Sequence, residues 1–257
     1  MKKNKIIYKI KKKIYNKYIN INILYFSNMS DSKKNFKNCK TSYKIVIVGN
    51  SGTGKTSFCN RWMKDKFPED YKATVMSDFS YKIYEYKGNY YKIQFWDIAG
   101  QDQNIYTSRV FTKGAHGCII MTDITNPQTL DKALLWKKSI DENTKFIDGD
   151  LIPTILIQNK IDLIKEDEKI KDEDEISKFC EEHKFSHYFR TSCKNGVNIN
   201  ESMDYLLSAI IDRMDEYHKK NDTNVVDNER KTSIVIQNPL ATTKMMLAKK
   251  KICCQYF

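Results

Sequence analysis

Residues 49–56, GNSGTGKT, place glycines, hydroxyl side chains and a lysine at the spacing G-x-x-x-x-G-K-T. The apolar run KIVIV precedes them and a helix-length segment follows, which is the context that this pattern requires. Glycine lets the backbone curl so that its N–H groups face an anion, and a helix N-terminus adds positive potential. Lys55 is expected to reach the β- and γ-phosphates, and Thr56 to place its hydroxyl on Mg²⁺. The segment therefore predicts a nucleoside triphosphate site, but it defines neither the base nor whether hydrolysis occurs.

The choice of base is indicated by Asn159-Lys160-Ile161-Asp162, which follow the apolar run TILI. A carboxylate at Asp162 can accept hydrogen bonds from the ring N1–H and the N2 amino group of guanine. Adenine has neither donor, and its binding would leave the carboxylate unpaired at a cost of order 1–3 kcal/mol or more. The stem of Lys160 can cover the base plane. A later segment, TSCK at 191–194, either closes this pocket or is an ordinary turn.

A third polar stretch, WDIAGQDQN at 96–104, follows an apolar-rich run that ends at Phe95. It contains an acid, two small residues and several amides. A glutamine amide can accept a hydrogen bond from water and donate one toward a phosphate. The stretch is thus either part of a reaction site or a polar loop that leaves a sheet.

The elements that must position these loops alternate between short β-rich runs and helix-length segments, which predicts an α/β domain. We expect a mostly parallel six-stranded sheet with helices on both faces, and one antiparallel hairpin around Lys87-Gly88-Asn89. Ligands of such folds bind at the carboxyl ends of the strands, where all three motifs fall. The predicted strands are 43–48, 79–85, 90–96, 117–123, 154–158 and 188–191, and the predicted helices are 56–64, 129–142, 173–183 and 199–218.

The net charge of +12 belongs to the ends of the chain. Residues 1–42 carry twelve lysines and one aspartate, residues 217–257 eight basic and three acidic residues, and residues 43–216 twenty-four basic and twenty-eight acidic residues. This distribution gives no basic face to a folded domain and so argues against nucleic-acid binding. We predict a basic, disordered extension at 1–42, a folded domain at 43–218 and a flexible tail at 219–257.

Within the extension, apolar residues recur at helical spacing among lysines, which leaves a basic amphipathic membrane helix as an alternative. Met29 as the true start of the chain is another. Five scattered cysteines show no disulfide or zinc-ligand spacing. The pair Cys253-Cys254, after three lysines, is either a site for two prenyl chains or a pair of free thiols in the tail.

The motifs GNSGTGKT, YKAT, WDIAGQ, NKID and TSCK, in this order, resemble the Ras-like small GTPases, whose fold is the P-loop NTPase small G domain. YKATVMSDF (71–79), TSRVFTKGAHG (107–117) and the ending CCQYF resemble the Rab group. Ile98 and LLWKKSID (134–141) resemble the Rab branch that serves lysosome-related organelles. The resemblance covers about residues 43–216 and the terminal cysteines.

The resemblance implies a role for each matching residue. Thr56 and Thr74 would bind Mg²⁺ directly and Asp97 through water, while Gly100 would donate its N–H to the γ-phosphate and Gln101 would orient the attacking water. Phe67 would pack on the edge of guanine. The phosphates would lie on Ser51, Gly52, Thr53, Gly54, Lys55, Thr56 and Ser57, and the base on Asn159, Lys160, Asp162, Ser192, Cys193 and Lys194. Cys193 stands where the family usually has alanine, and this should matter little if its backbone N–H binds the base.

The function implied is a timed GTP/GDP switch that hydrolyses GTP slowly and regulates vesicle trafficking and membrane identity. Implied partners are an exchange factor, a GTPase-activating protein, effectors that read switch I and II, and proteins of the prenylation-escort and GDP-dissociation-inhibitor types. Geranylgeranyl groups on Cys253 and Cys254 would anchor a monomeric G domain to the cytoplasmic face of intracellular membranes. The alternatives are a non-hydrolysing GTP-binding scaffold and an ATP-dependent kinase or transporter subunit.

The chain departs from the Rab pattern at Val75-Met76-Ser77 in switch I and at Asp102-Gln103-Asn104 after Gln101. These changes lie on surfaces that partners read, and none touches a phosphate or base ligand. The aromatic triad that Rab effectors use would map to Phe79, Trp96 and Phe111, whose other interpretation is ordinary packing.

Overall fold

The computed structural model describes residues 39–68, 78–100, 109–165 and 171–232. Thr74, Gln101, Cys253 and Cys254, together with both altered switch segments, lie outside these residues. The strands are β1 Cys39–Gly49, β2 Asp78–Tyr86, β3 Asn89–Asp97, β4 Gly117–Asp123, β5 Thr154–Asn159 and β6 His187–Thr191. The helices are α1 Lys55–Lys64, α2 Arg109–Thr112, α3 Gln128–Asn143, α4 Glu173–Glu182 and α5 Ile199–Thr232, with a short 3₁₀ helix at Ile161–Leu163.

The six strands form one sheet in the order β2-β3-β1-β4-β5-β6. Every neighbouring pair is parallel except β2 and β3, which are antiparallel. Ile47 of β1 lies beside Asp97 of β3, and Asn159 of β5 lies between Asp123 of β4 and Thr191 of β6. The mostly parallel six-stranded sheet is therefore confirmed, and its register aligns the carboxyl ends of the strands along one edge.

The central strands are buried along their whole apolar lengths. In β1 the run from Ile45 to Val48 is fully buried, and all six residues of β5 are buried. Only a strand covered on both faces loses the alternation of buried and exposed side chains, so helices must cover both faces of the sheet. Burial on both faces explains why the sequences of β1 and β5 contain the apolar runs KIVIV and TILI.

The β2–β3 hairpin turns on two residues. Lys87 and Gly88 have φ values of 50° and 74°, and two successive positive φ angles define the type I′ turn that matches the twist of the strands. The predicted hairpin is confirmed, but Asn89 belongs to β3 and not to the turn.

Two predicted boundaries of elements differ from the structure by several residues, and the others by one residue at most. β1 begins at Cys39, not at Tyr43, so residues 39–42 belong to the sheet, where Cys39 lies beside Tyr90 of β3. The last helix continues from the predicted end at His218 to Thr232. The chain divides into one compact unit that ends at Ser208 and a second that begins at Ala209. The domain limits at 42 and 218 stay predictions. None of the helices in the described residues is long and apolar enough to cross a bilayer.

Candidate nucleotide-binding site

The loop between β1 and α1 curls through backbone conformations that favour glycine. Gly49 and Gly54 have φ values of 137° and 98°, and a Cβ at Gly49 would overlap the carbonyl of Met121 in the neighbouring strand. Thr53 fixes the loop from inside by donating its hydroxyl to the carbonyl of Asn50 at 2.9 Å. Because Gly54 is the N-cap of α1 and offers no side-chain cap, the first amides of the helix are left to bind an anion.

The side chain of Lys55 lies under this loop and is only 6% exposed. Its Nζ donates to the carbonyl oxygens of Gly49 at 2.9 Å and Asn50 at 2.8 Å. Burial lowers the pKa of Lys55 to about 8, and the nearby carboxylate of Asp97 opposes the shift. Among the described residues the hydrogen bonds of this buried ammonium go to neutral carbonyl groups, so it gains from any phosphate that enters the loop.

Thr56 and Asp97 form the neighbouring part of the site. The hydroxyl of Thr56 donates to Oδ2 of Asp97 at 2.5 Å. The other oxygen, Oδ1, is buried and has no hydrogen-bond partner within the described ranges. Burial raises the pKa of Asp97, while the Thr56 hydroxyl and Lys55 lower it. A hydroxyl beside a carboxylate with an unsatisfied buried oxygen is the hard oxygen donor set that Mg²⁺ prefers, so these residues fit the ion that the sequence predicts.

Gly100 brings the loop after β3 against the phosphate loop. A Cβ at Gly100 would overlap the Lys55 ammonium and the backbone of Gly49 and Asn50. The backbone of Gly100 therefore passes close to where a γ-phosphate bound by Lys55 would lie. Gln101 is the next residue in the chain.

Asn159 joins the three loops of the site and is only 2% exposed. Its Nδ2 donates to the carbonyl of Thr53 at 2.9 Å, and its Oδ1 accepts from the hydroxyl of Thr191 at 3.1 Å and the N–H of Cys193 at 3.2 Å. These contacts give Asn159 a structural role beside the base-binding role that the resemblance implies. They bring the phosphate loop, the NKID segment and the TSCK segment together as predicted.

The two charged side chains of the NKID segment are both held by partners in the described part of the chain. Lys160, at a φ of 72°, donates its Nζ to Oδ2 of Asp123 at 2.5 Å, which fixes the direction of its aliphatic stem. Ser192 donates its hydroxyl to Oδ1 of Asp162 at 2.5 Å and so orients the carboxylate that is expected to read guanine. Asp123 was missed by the sequence analysis. The signal available was an acid that ends a buried strand at the ligand edge of the sheet.

Cys193 is buried beside the phosphate loop, with its Sγ 3.9 Å from the carbonyl oxygen of Gly54. Burial raises the pKa of this thiol to about 12, so it is neutral near pH 7. A neutral thiol fits where the family usually has alanine. The carbonyl groups of Cys193 and Lys194 both accept hydrogen bonds from Arg61 of α1, a second residue that the sequence analysis missed.

Two further expectations concern aromatic residues. Phe67 is 40% exposed and so can cover the edge of a ligand. Phe79 and Trp96 meet edge to face with ring centroids 5.5 Å apart, and Phe111 lies 6.5 Å from Trp96. The three rings are half-buried and form one cluster.

Comparison with known proteins agrees with this geometry. The Ras family profile matches residues 44–212. The chain is 33% identical over 213 residues to Ras-related protein Rab-32C of Dictyostelium discoideum, which covers 83% of this chain and 88% of that protein. It is 31% identical to human Ras-related protein Rab-32, over 74% of this chain and 84% of that protein. It is 34% identical to human Ras-related protein Rab-7L1, over 66% of this chain and 82% of that protein.

These relatives match the branch that Ile98 and LLWKKSID indicate, and they confirm the small G domain predicted from the motifs. Rab proteins bind GTP and GDP with Mg²⁺, work with exchange factors, GTPase-activating proteins and effectors, and act on intracellular membranes. The chain therefore belongs to the Ras family and is a Rab small GTPase, an enzyme that hydrolyses GTP and serves as a GTP/GDP switch in vesicle trafficking.

Proposed function

We propose that the loops at the carboxyl edge of the sheet form the GTP site, with the phosphates on residues 51–57 and the base between the NKID and TSCK segments. The observation that carries the proposal is Asn159, whose hydrogen bonds join the phosphate loop to both base segments. Asp162, held by Ser192, would accept from the two guanine donors, and the stem of Lys160 would cover the ring. Phe67, Cys193 and Lys194 would complete the pocket around the base.

The phosphate end would work through charge and alignment. Lys55 would exchange its carbonyl partners for the β- and γ-phosphates, and the N–H of Gly100 would donate to the γ-phosphate. Thr56, Thr74 and the carboxylate of Asp97 would hold Mg²⁺, which neutralises phosphate charge when bound. Gln101 would accept a hydrogen bond from water and align its oxygen with the γ-phosphorus. As the bond from the water oxygen to the γ-phosphorus forms, the bond from that phosphorus to the bridging oxygen breaks. A proton of the water would go to a γ-phosphate oxygen, and GDP leaves with the negative charge of the bridging oxygen.

The low pKa of Lys55 makes nucleotide binding depend on pH. Phosphate favours the charged ammonium, so above about pH 8 Lys55 must take up a proton from the solvent when the nucleotide binds. We expect GDP affinity to be constant below pH 7.5 and to fall by up to about tenfold per pH unit above 8. Calorimetry of GDP binding at pH 8.5 in buffers of different ionisation enthalpy measures this proton uptake.

Two variants make this measurement specific. Lys55→Arg keeps the charge but cannot lose its proton, so its binding should take up none. Lys44 provides the matched control, because burial also lowers its pKa to about 8 while its Nζ lies 4.2 Å from the ring centroid of Trp96, away from the loop. Lys44→Met should retain the uptake of the parent. Uptake that persists in Lys55→Arg would contradict the assignment of the proton to Lys55.

The tail would anchor the switch to its membrane. Geranylgeranyl chains on Cys253 and Cys254 would give the stable binding that a single chain does not, and Lys249–Lys251 would add roughly 1 kcal/mol each at an anionic surface. Proteins of the prenylation-escort and GDP-dissociation-inhibitor types would carry the two lipids through the cytosol. The residues before 39 and after 232 would flank the G domain as an extension and a tether.

Replacing both Cys253 and Cys254 by serine should move tagged protein from discrete intracellular membranes to the cytosol. The reason is that the remaining lysines bind an anionic surface only weakly and reversibly. Fluorescence imaging of the parent and the double variant measures the change, with Cys39→Ser as a control that removes a cysteine at the start of β1. A discrete membrane pattern in the double variant would refute the lipid anchor and point to the basic extension.

A further inference from the structure

Arg61, in the last turn of α1, contacts two residues of the TSCK segment and also Asp65. Its Nε donates to the carbonyl of Cys193 at 2.9 Å, and its Nη2 donates to the carbonyl of Lys194. Its Nη1 lies 3.2 Å from the carbonyl and the carboxylate of Asp65. The side chain is 18% exposed, whereas that of Asp65 is 93% exposed. The planar guanidinium thus donates hydrogen bonds to two successive carbonyl groups of the TSCK segment.

Other groups of this segment make the contacts on which the proposed base site rests. The N–H of Cys193 points to Oδ1 of Asn159, and Ser192 holds the carboxylate of Asp162. The segment also closes on itself, since the N–H groups of Gly196 and Val197 donate to the carbonyl of Ser192. Hydrogen bonds to Asn159 and to Arg61 therefore both fix the position of this small turn relative to the rest of the pocket.

We propose that Arg61 is a positioning residue that holds the TSCK segment closed over guanine and so sets the rate at which nucleotide leaves. The inference rests on the proposed base site. Its physical basis is that α1 begins at Lys55, directly after its N-cap Gly54 in the phosphate loop, and carries Arg61 about two turns later. One rigid helix then fixes the distance between the phosphate end and the base end of the ligand. Releasing the two carbonyl bonds frees the base end without altering the phosphate end.

The same turn of α1 is attached to strand β2. The Nζ of Lys82 donates to the carbonyl of Trp62 at 2.8 Å and lies 4.4 Å from the centre of its ring. Strand β2 directly follows the segment that carries Thr74 in the sequence. These contacts hold the turn of α1 that carries Arg61 against the sheet.

The test is the dissociation of N-methylanthraniloyl-GDP from the full chain, followed after addition of excess GDP in the presence of Mg²⁺. Arg61→Met should accelerate dissociation by about 10- to 100-fold, because two hydrogen bonds from a charged donor are lost. Arg61→Lys should lie between the parent and Arg61→Met, since an ammonium reaches one carbonyl where the guanidinium reaches two. Single-turnover hydrolysis of preloaded GTP should stay within about twofold of the parent in both variants, because the γ-phosphate end is intact.

Two controls separate the positioning of the TSCK segment by Arg61 from other effects on nucleotide dissociation. Asp65→Asn removes the exposed ion pair but keeps both carbonyl bonds, and should change dissociation by less than about twofold. Arg190→Met removes another arginine that holds a loop carbonyl, that of Lys171, outside the TSCK segment, and should also change it by less than about threefold. The proposed role of Arg61 would be overturned if nucleotide dissociates from Arg61→Met at a rate within twofold of the parent. It would also be overturned if Arg190→Met accelerates dissociation as much as Arg61→Met does. A parent chain that retains no guanine nucleotide would instead refute the proposed site.

Discussion

Replacing Asp162 by asparagine should change the base that the site selects from guanine to xanthine. The carboxylate accepts from N1–H and the N2 amino group of guanine, and an asparagine amide presents its own NH₂ to one of those donors. Xanthine carries a carbonyl oxygen where guanine has the amino group, so it can accept from the new amide. The loss of one hydrogen bond to a charged group and the burial of an unpaired donor should weaken GDP binding by about 10²- to 10³-fold.

Competition between GDP and XDP for the parent and for Asp162→Asn measures this exchange. The hydrogen bond from Ser192 fixes the carboxylate in the parent, and an asparagine oxygen can accept the same bond. The variant should therefore keep its fold, which its thermal unfolding with bound XDP can check. Asp131→Asn, in the exposed first turn of α3, is a matched loss of one carboxylate and should not alter base preference. Unchanged preference for GDP in Asp162→Asn would show that another group reads the base.

Replacing Gln101 by leucine should slow hydrolysis while nucleotide binding is retained. The amide is proposed to align a water with the γ-phosphorus, and a leucine of similar size can neither accept from water nor donate to phosphate. Loss of alignment of the nucleophile should reduce the single-turnover rate by about 10²-fold. The rate is measured as phosphate released from protein preloaded with GTP.

Gln103 offers a matched control for this change. It is a second amide two residues along, where the chain departs from the Rab pattern, and the proposed site gives it no contact with the nucleotide. Gln103→Leu should hydrolyse GTP at the parent rate. If Gln101→Leu and Gln103→Leu behave alike, the water is not aligned by Gln101.

The central strands were predictable because burial on both faces leaves continuous apolar runs such as KIVIV and TILI. The beginning of β1 was not, because Cys39 to Ser42 are mostly polar and enter the sheet through pairing with β3, a contact distant in sequence. The end of α5 was missed for a related reason. Its last residues are polar and lack a helical pattern of apolar side chains, so local sequence could not show where the helix ends.

The site was predictable where a motif fixes both residue types and their spacing. The glycines and Lys55 of the phosphate loop, and the convergence of NKID with TSCK, follow from the rule that ligands bind at the carboxyl ends of parallel strands. Asp123 and Arg61 carry no such spacing. Each is one charged residue among many. Asp123 accepts from Lys160, which lies 37 residues away, and Arg61 donates to the carbonyl of Cys193, which lies 132 residues away. Only the fold brings these pairs together.

The most direct test of the account is the identity of the nucleotide carried by the chain. Purified full-length protein is stripped of nucleotide, incubated with equal concentrations of GTP and ATP and Mg²⁺, separated from free ligand, and sampled over time by chromatography of the bound nucleotide. We predict guanine nucleotide alone, bound first as GTP and converted to GDP with a single slow rate. Bound ATP would contradict the base assignment, and GTP that stays unconverted would contradict the GTPase switch in favour of a non-hydrolysing scaffold.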